Sequence, residues 1–138
     1  MHRSARLIAP LAAAALASAI AMAQPLDEQS ANGVTYVTGG VGGDESAALR
    51  AAASRYALEV ELVAKGTPLG EHLSDAMVEV RDAAGKTLVS TPTKGPFFLA
   101  NLPPGRYTVV ARSKGASREA RVDLAKGEHQ RVVIELAP

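Results

Sequence analysis

The stretch "GGVGGDESAALR", residues 39–50, sets four glycines directly ahead of an acidic helix start. A Gly-rich passage from strand to helix can bring backbone N–H groups close to a phosphate, and the positive end of the helix dipole favours an anion there. The dinucleotide fingerprint needs a third glycine where this chain has Glu45. Asp44 and Glu45 would also face any phosphate placed at the helix start, which opposes binding. The spacing therefore favours a tight structural turn, with glycines supplying positive φ and Asp44 capping the helix through its carboxylate. Gly40, Gly42, Gly43 and Asp44 stand as the candidate ligand loop, and the class of ligand is a small molecule or carbohydrate.

Other chemistry has less to work with. There are no cysteines, so thiolate metal sites and thiol nucleophiles are excluded. His72 lies in a polar loop with Glu71 and Asp75, and His129 lies far from it in sequence; this pattern is expected to be solvated, with no metal site and no cofactor. No G-x-S-x-G elbow is present, and the serines fall in turns or on element surfaces, so no catalytic residues are assigned. The pairs Asp44–Glu45 and Glu59/Glu61 read as a helix start and the wet face of a strand. "GPFFLANLPP" offers a different function, a contact surface. Two adjacent Phe residues in a strand point to opposite faces, so one of Phe97 and Phe98 is expected outside, with Leu99 and Leu102 nearby as partner anchors. The competing expectation is that the helix covers it.

These residues need elements to hold them. "QPLDEQSAN", residues 24–32, is polar and aperiodic and reads as a flexible N-terminus. "GVTYVTGG" (Gly33–Gly40) reads as a strand, with Val34, Tyr36 and Thr38 on one face. Asp44 to Tyr56 is rich in helix formers, and Leu49, Ala52, Ala53 and Tyr56 make one apolar stripe. "LEVELVA" (Leu58–Ala64) alternates as a half-buried strand, and Lys65–Asp75 is a loop. Beyond it, Gly85, Gly95, Gly105, Gly115 and Gly127 recur every ten to twelve residues. The runs between them ("AMVEVRD", "KTLVST", "FFLANL", "RYTVVARS", "SREARVDL", "QRVVIEL") predict short strands of a sandwich. Their alternation selects Val78 and Val80, Tyr107, Val109 and Ala111, Ala120, Val122 and Leu124, and Val132, Ile134 and Leu136 as inward faces.

The turn "NLPPGRYTV" carries a resemblance. Asp82 to Gly85, the Gly95–Leu102 strand and the L-P-x-G-x-Y-x-V pattern at Leu102–Val109 together resemble the carboxypeptidase regulatory-like family of transthyretin-type sandwiches. The resemblance spans Ala76 to Leu136. It implies a mostly β, antiparallel, transthyretin-like or Ig-like sandwich, here preceded by a short β-α-β segment with one helix. It implies no activity, because this fold serves as an accessory or adhesive module.

The chain start sets location. Arg3 and Arg6 precede an alanine-heavy apolar run from Leu7 to Met22, and "AMA" (Ala21–Ala23) offers a small-x-small cleavage pattern, so residues 1–23 read as a signal peptide. The expected division is a signal at 1–23, a flexible 24–32 and one domain at 33–138, with the β-α-β front at 33–64 and the sandwich at 76–136. Its removal leaves 13 of the 15 basic residues against 14 acidic ones, with no transmembrane segment. A near-neutral chain with five aromatics has no electrostatic or stacking footprint for nucleic acid. The expectation is a non-enzymatic, exported protein of the bacterial periplasm, or a secreted one, binding an unidentified envelope protein or glycan through a surface. The alternative is a small-molecule or carbohydrate binder, or a cryptic enzyme, using the Gly39–Asp44 loop. A third reading is assembly through exposed sheet edges.

Overall fold

The computed structural model describes residues 26–66, 73 and 75–137; the expected signal and the Glu71–His72 pair lie outside the described residues. The described chain is mostly β, with two antiparallel-rich sheets in a sandwich-like arrangement and a single short helix. Strands β1 (Gln29–Ala31), β2 (Val34–Gly39), β3 (Leu58–Ala64), β6 (Phe97–Asn101) and β9 (Gln130–Leu136) form the first sheet, in the order β1-β2-β6-β3-β9. Strands β4 (Met77–Arg81), β5 (Thr87–Pro92), β7 (Gly105–Ser113) and β8 (Ala116–Leu124) form the second, in the order β5-β4-β7-β8.

The front of the chain is built into the sandwich. β2 and β3 both pair antiparallel with β6, so they run parallel to each other with β6 between them. The connection between them is helix α1 (Gly43–Ala52) and a 3-10 turn (Ala53–Arg55), the expected Asp44–Tyr56 helix being shortened at its end. β9 closes the sheet by pairing parallel to β3, from Leu58 opposite Gln130 to Ala64 opposite Leu136.

Period-2 alternation fixes the core. Val34, Tyr36, Leu58, Val60, Leu62, Phe98 and Ala100 from the first sheet meet Val78, Val80, Val89, Tyr107, Val109, Ala111, Val122 and Leu124 from the second. Tyr36 stacks on Phe98 with ring centroids 5.8 Å apart. Tyr107 is inward, as expected, and its hydroxyl donates to the carbonyl of Pro103 at 2.6 Å, fastening the Pro-Pro turn to the strand it launches.

Three expectations are corrected. The segment at 24–32 is not loose where described: Gln29–Ala31 pairs with β2 through a turn at Asn32 and Gly33, both at positive φ (50° and 77°). Asn-Gly between extended runs is a strong two-residue hairpin signal. Glu59 and Glu61 are not on a wet face either; each is 8% exposed, on the outer side of the first sheet where side chains from β9 and its entry loop cover them. Finally, Asp44 does not cap the helix. The cap position is Gly42, with no side-chain hydrogen bond, and Asp44 lies inside the first turn.

Candidate functional site

The outer face of the first sheet is occupied. Val37, Phe97 and Leu99 point outward there, and α1 (Leu49, Ala52) with the 3-10 turn and the residue after it (Ala53, Tyr56) packs over them as a second apolar core. Phe97, Phe98, Leu99 and Leu102 are 2%, 0%, 1% and 6% exposed. The expected contact surface at these residues is therefore corrected: one Phe does face outward, and the helix seals it, with the Arg50 guanidinium 5.6 Å from the Phe97 ring centroid.

The glycine loop is closed by its own neighbours. The Gly40 N–H donates to Glu45 Oε1 at 3.1 Å, and Ser46 Oγ donates to the Gly40 carbonyl at 2.6 Å. A β-carbon on Gly40, which has φ 106°, would lie 2.4 Å from Phe97 Cδ2; one on Gly95 would lie 2.3 Å from the Gly39 carbonyl. Close backbone approach to a ring and to a neighbouring strand explains these glycines, and a carboxylate already takes the donor that a phosphate would need. Gly42 and Gly43 are exposed and open, and Asp44 beside them is exposed.

A second polar cluster lies where β3 meets β9. His129 Nδ1–H donates to the Tyr56 carbonyl at 2.7 Å, and Nε2 lies 2.8 Å from Glu59 Oε2. Arg131 pairs with Glu61 and lies 3.8 Å from Glu59. With one imidazole nitrogen on a carbonyl and the other on a carboxylate, neither is open to a substrate. The adjoining cleft, ≈ 320 Å³, is lined by Ser54, Tyr56, Asn101, Lys126, Glu128 and His129 among others. Tyr56 donates its hydroxyl to Glu28, and burial followed by that carboxylate pushes its pKa up to about 12. That bond ties the N-terminal segment to the end of the helical turn.

Among the described residues, no element covers the outer face of the second sheet. At its centre Glu79 accepts from Arg81 Nε at 2.9 Å and Nη2 at 3.2 Å, from Arg112 Nη1 at 3.3 Å and from Thr87 Oγ1 at 2.7 Å. β-strand spacing makes this possible: Glu79 and Arg81 share a face two residues apart, and Arg112 reaches in from β7, opposite Met77. The hydrogen bonds of Arg81 and Thr87 hold the Glu79 carboxyl down at about 2, well below its ordinary value. Val110, opposite Glu79 on this face, is only 1% exposed, so the long side chains close over the sheet around it. Met77 beside them is 41% exposed.

Open clefts flank the hub. One, ≈ 590 Å³, is lined by Met77, Pro92, Thr93, Arg112, Ser113 and Ser117 among others. The other, ≈ 520 Å³, includes Arg81, Asp82, Arg106, Glu119, Arg121 and Asp123. Both signs of charge alternate across it. Alternation with Val78, Val80 and Ala111 marks Glu79, Arg81 and Arg112 only as outward polar neighbours. The signal for the hub was a Glu-x-Arg on one strand with a Thr and an Arg on its two neighbours, and it becomes visible only with strand order and register.

Among the described residues no group of three His, Asp or Glu is placed to hold a metal ion, and no helix is long and apolar enough to cross a membrane. Neither a family model nor a curated protein matches the chain.

Proposed function

We propose that this chain is an exported, non-catalytic binding module of the bacterial envelope, and that it holds a partner protein against the bare face of the β5-β4-β7-β8 sheet. The observation that carries this reading is the Glu79 hub. Its bidentate Arg81 pair and the second guanidinium of Arg112 fix long side chains in place on a face that no other described element covers. Pre-fixed side chains lose less freedom when a partner arrives, and Arg beside an exposed Met is a composition suited to protein contact. The location rests on the basic start, apolar run and small-residue cleavage pattern of residues 1–23. The accessory role agrees with the resemblance to carboxypeptidase regulatory-like sandwiches.

The alternative of a small-molecule or glycan site at Gly39–Asp44 has less support, because Glu45 and Ser46 already use the polar groups of Gly40. A catalytic role has no free base at His129 to work with. The test is crosslinking in intact cells of a C-terminally tagged copy, followed by identification of what is recovered. Wild type and Phe97→Tyr should recover the same envelope protein, and Met77→Glu or Arg112→Ala should lose it while keeping a cooperative melt. Recovery undiminished by both face substitutions contradicts the reading.

A further inference from the structure

Among the described residues, both sheets end on one side of the sandwich in a strand with no further neighbour, β8 in the second sheet and β9 in the first. A cleft of ≈ 250 Å³ runs between these edges, lined by Arg118, Glu119, Ala120, Val133, Ile134 and Glu135. Val133 is 45% exposed there. A long open edge is a template for another strand unless something blunts it. The question is what strand fits.

The backbone pattern can be read from register. Lys114 and Gly115, both at positive φ (49° and 81°), form the two-residue turn between Ser113 and Ala116. Residues flanking such a turn exchange both hydrogen bonds, and the bonding then alternates. Ala116, Arg118, Ala120, Val122 and Leu124 thus bond to β7, and Ser117, Glu119, Arg121 and Asp123 direct their N–H and C=O groups to the open side. On β9, the Gln130 N–H donates to Ala57 and the Leu136 carbonyl accepts from Lys65, so the even-numbered residues bond toward β3. Arg131, Val133 and Glu135 direct theirs outward.

The side chains on these open positions are self-complementary. Laid antiparallel against a second β8 with all nine residues paired, Ala120 meets Ala120 of the second copy, and Glu119 meets Arg121 twice, once in each direction. Ser117 meets Asp123 twice. A slip of two residues one way sets Glu119 on Glu119, and the other way sets Arg121 on Arg121. Among the described residues no ion pair within the chain holds Arg121, and Glu119 shares a cleft with Arg81 and Arg121. β9 has the same symmetry: with all seven residues paired, Val133 meets Val133, and Arg131 meets Glu135 twice. Arg131 keeps its side chain 55% exposed while it pairs with Glu61, leaving room for a second carboxylate. The two centres, Ala120 and Val133, line the same cleft, so the two edges lie close enough to serve one interface.

We infer that β8 and β9 form a homodimer interface, the occupant of each edge being the same edge of a second copy of this chain. Joining through β8 turns two bare four-stranded faces into one eight-stranded face, with the Glu79 hubs displayed on the same side. Like charges at both neighbouring registers define one pairing, as a closed isologous contact requires. This goes beyond the contact-face proposal and does not depend on it.

The test is sedimentation equilibrium of the protein lacking residues 1–23, from about 1 µM to about 1 mM at low and high salt. Wild type should be a dimer whose dissociation constant rises with salt. Arg121→Glu sets like charges opposite twice and should raise that constant about tenfold or more. Val133→Lys should do the same from the other sheet. The double swap Glu119→Arg with Arg121→Glu restores complementarity and should restore the dimer. A wild type that stays monomeric, a dimer indifferent to both Arg121→Glu and Val133→Lys, or a double swap that stays monomeric overturns the inference. A Val133→Lys monomer that still recovers the envelope partner separates the two proposals, since Val133 is on the other sheet from the hub.

Discussion

The two outer faces of this sandwich are made from the same strand grammar and end in opposite states. On the first sheet, Val37, Phe97 and Leu99 demand cover, and α1 with the 3-10 turn that follows supplies it through Leu49, Ala52, Ala53 and Tyr56. On the second sheet the corresponding positions are Met77, Glu79, Arg81 and Arg112, and they organise themselves around one carboxylate with no covering element among the described residues. The difference teaches that an outward apolar residue in a strand is a statement about a neighbour inside the chain first, and about a partner only after that neighbour has been accounted for. The one helix spends its apolar stripe on the first sheet and leaves the second to solvent or to another molecule.

The largest effect comes from breaking the covered face. Phe98→Ala in the central core and Phe97→Ala under the helix should each cost about 3–5 kcal/mol, read as a fall in the urea midpoint. Loss of binding in those variants would follow from loss of fold. Gly95→Ala comes next, at about 1–3 kcal/mol, because its β-carbon would press on the Gly39 backbone; a melt unchanged by this substitution would mean that the strand and loop are farther apart.

The Tyr56–Glu28 bond sharpens the comparison from the alkaline side. The Tyr56 pKa is raised from 10.0 to about 12 in the folded protein. The folded state holds that proton more tightly, so its stabilisation is fully present below pH 10 and is lost as pH rises toward 12. Tyr56→Phe should cost about 1 kcal/mol at neutral pH and flatten that alkaline loss in a pH series of melts. Glu79 reports on the bare face from the acid side. Its pKa falls from 4.5 to about 2, so its stabilisation is present above pH 4.5 and is lost as pH falls through about 2. Glu79→Gln should reduce the slope of stability against pH across that window. The smallest effect on stability belongs to Met77→Glu, within about 0.5 kcal/mol, with partner recovery lost all the same.

Much of this fold is written in local pattern. "VEV", "YTVVA" and "RVVIEL" declare their inward residues by alternation alone, and Val78, Val80, Val109, Ile134 and Leu136 are buried as that pattern requires. The β1–β2 hairpin was also legible in Asn32-Gly33, but the polar residues before it hid a strand that is held by backbone pairing more than by burial. What alternation cannot carry is cover. Glu59 and Glu61 read as wet because they alternate with Leu58, Val60 and Leu62, yet His129 and Arg131, seventy residues on, close over them. Phe97 misleads for the matching reason, its lid being a helix whose docking place depends on strand order. The Glu79 hub needs three strands in register before it exists. Charge symmetry along β8 and β9, by contrast, is present in the residues themselves and gains meaning once both strands are known to be edges.

The contact-face claim is tested most directly by placing a photo-crosslinking side chain at one position per copy, either at Met77 on the bare face or at Val41, which is 59% exposed at the glycine loop. Illumination in intact cells should join an envelope protein to the Met77 probe and leave the Val41 probe unlinked. Crosslinks from Val41 with none from Met77 would contradict the account, placing the working surface at the loop after all.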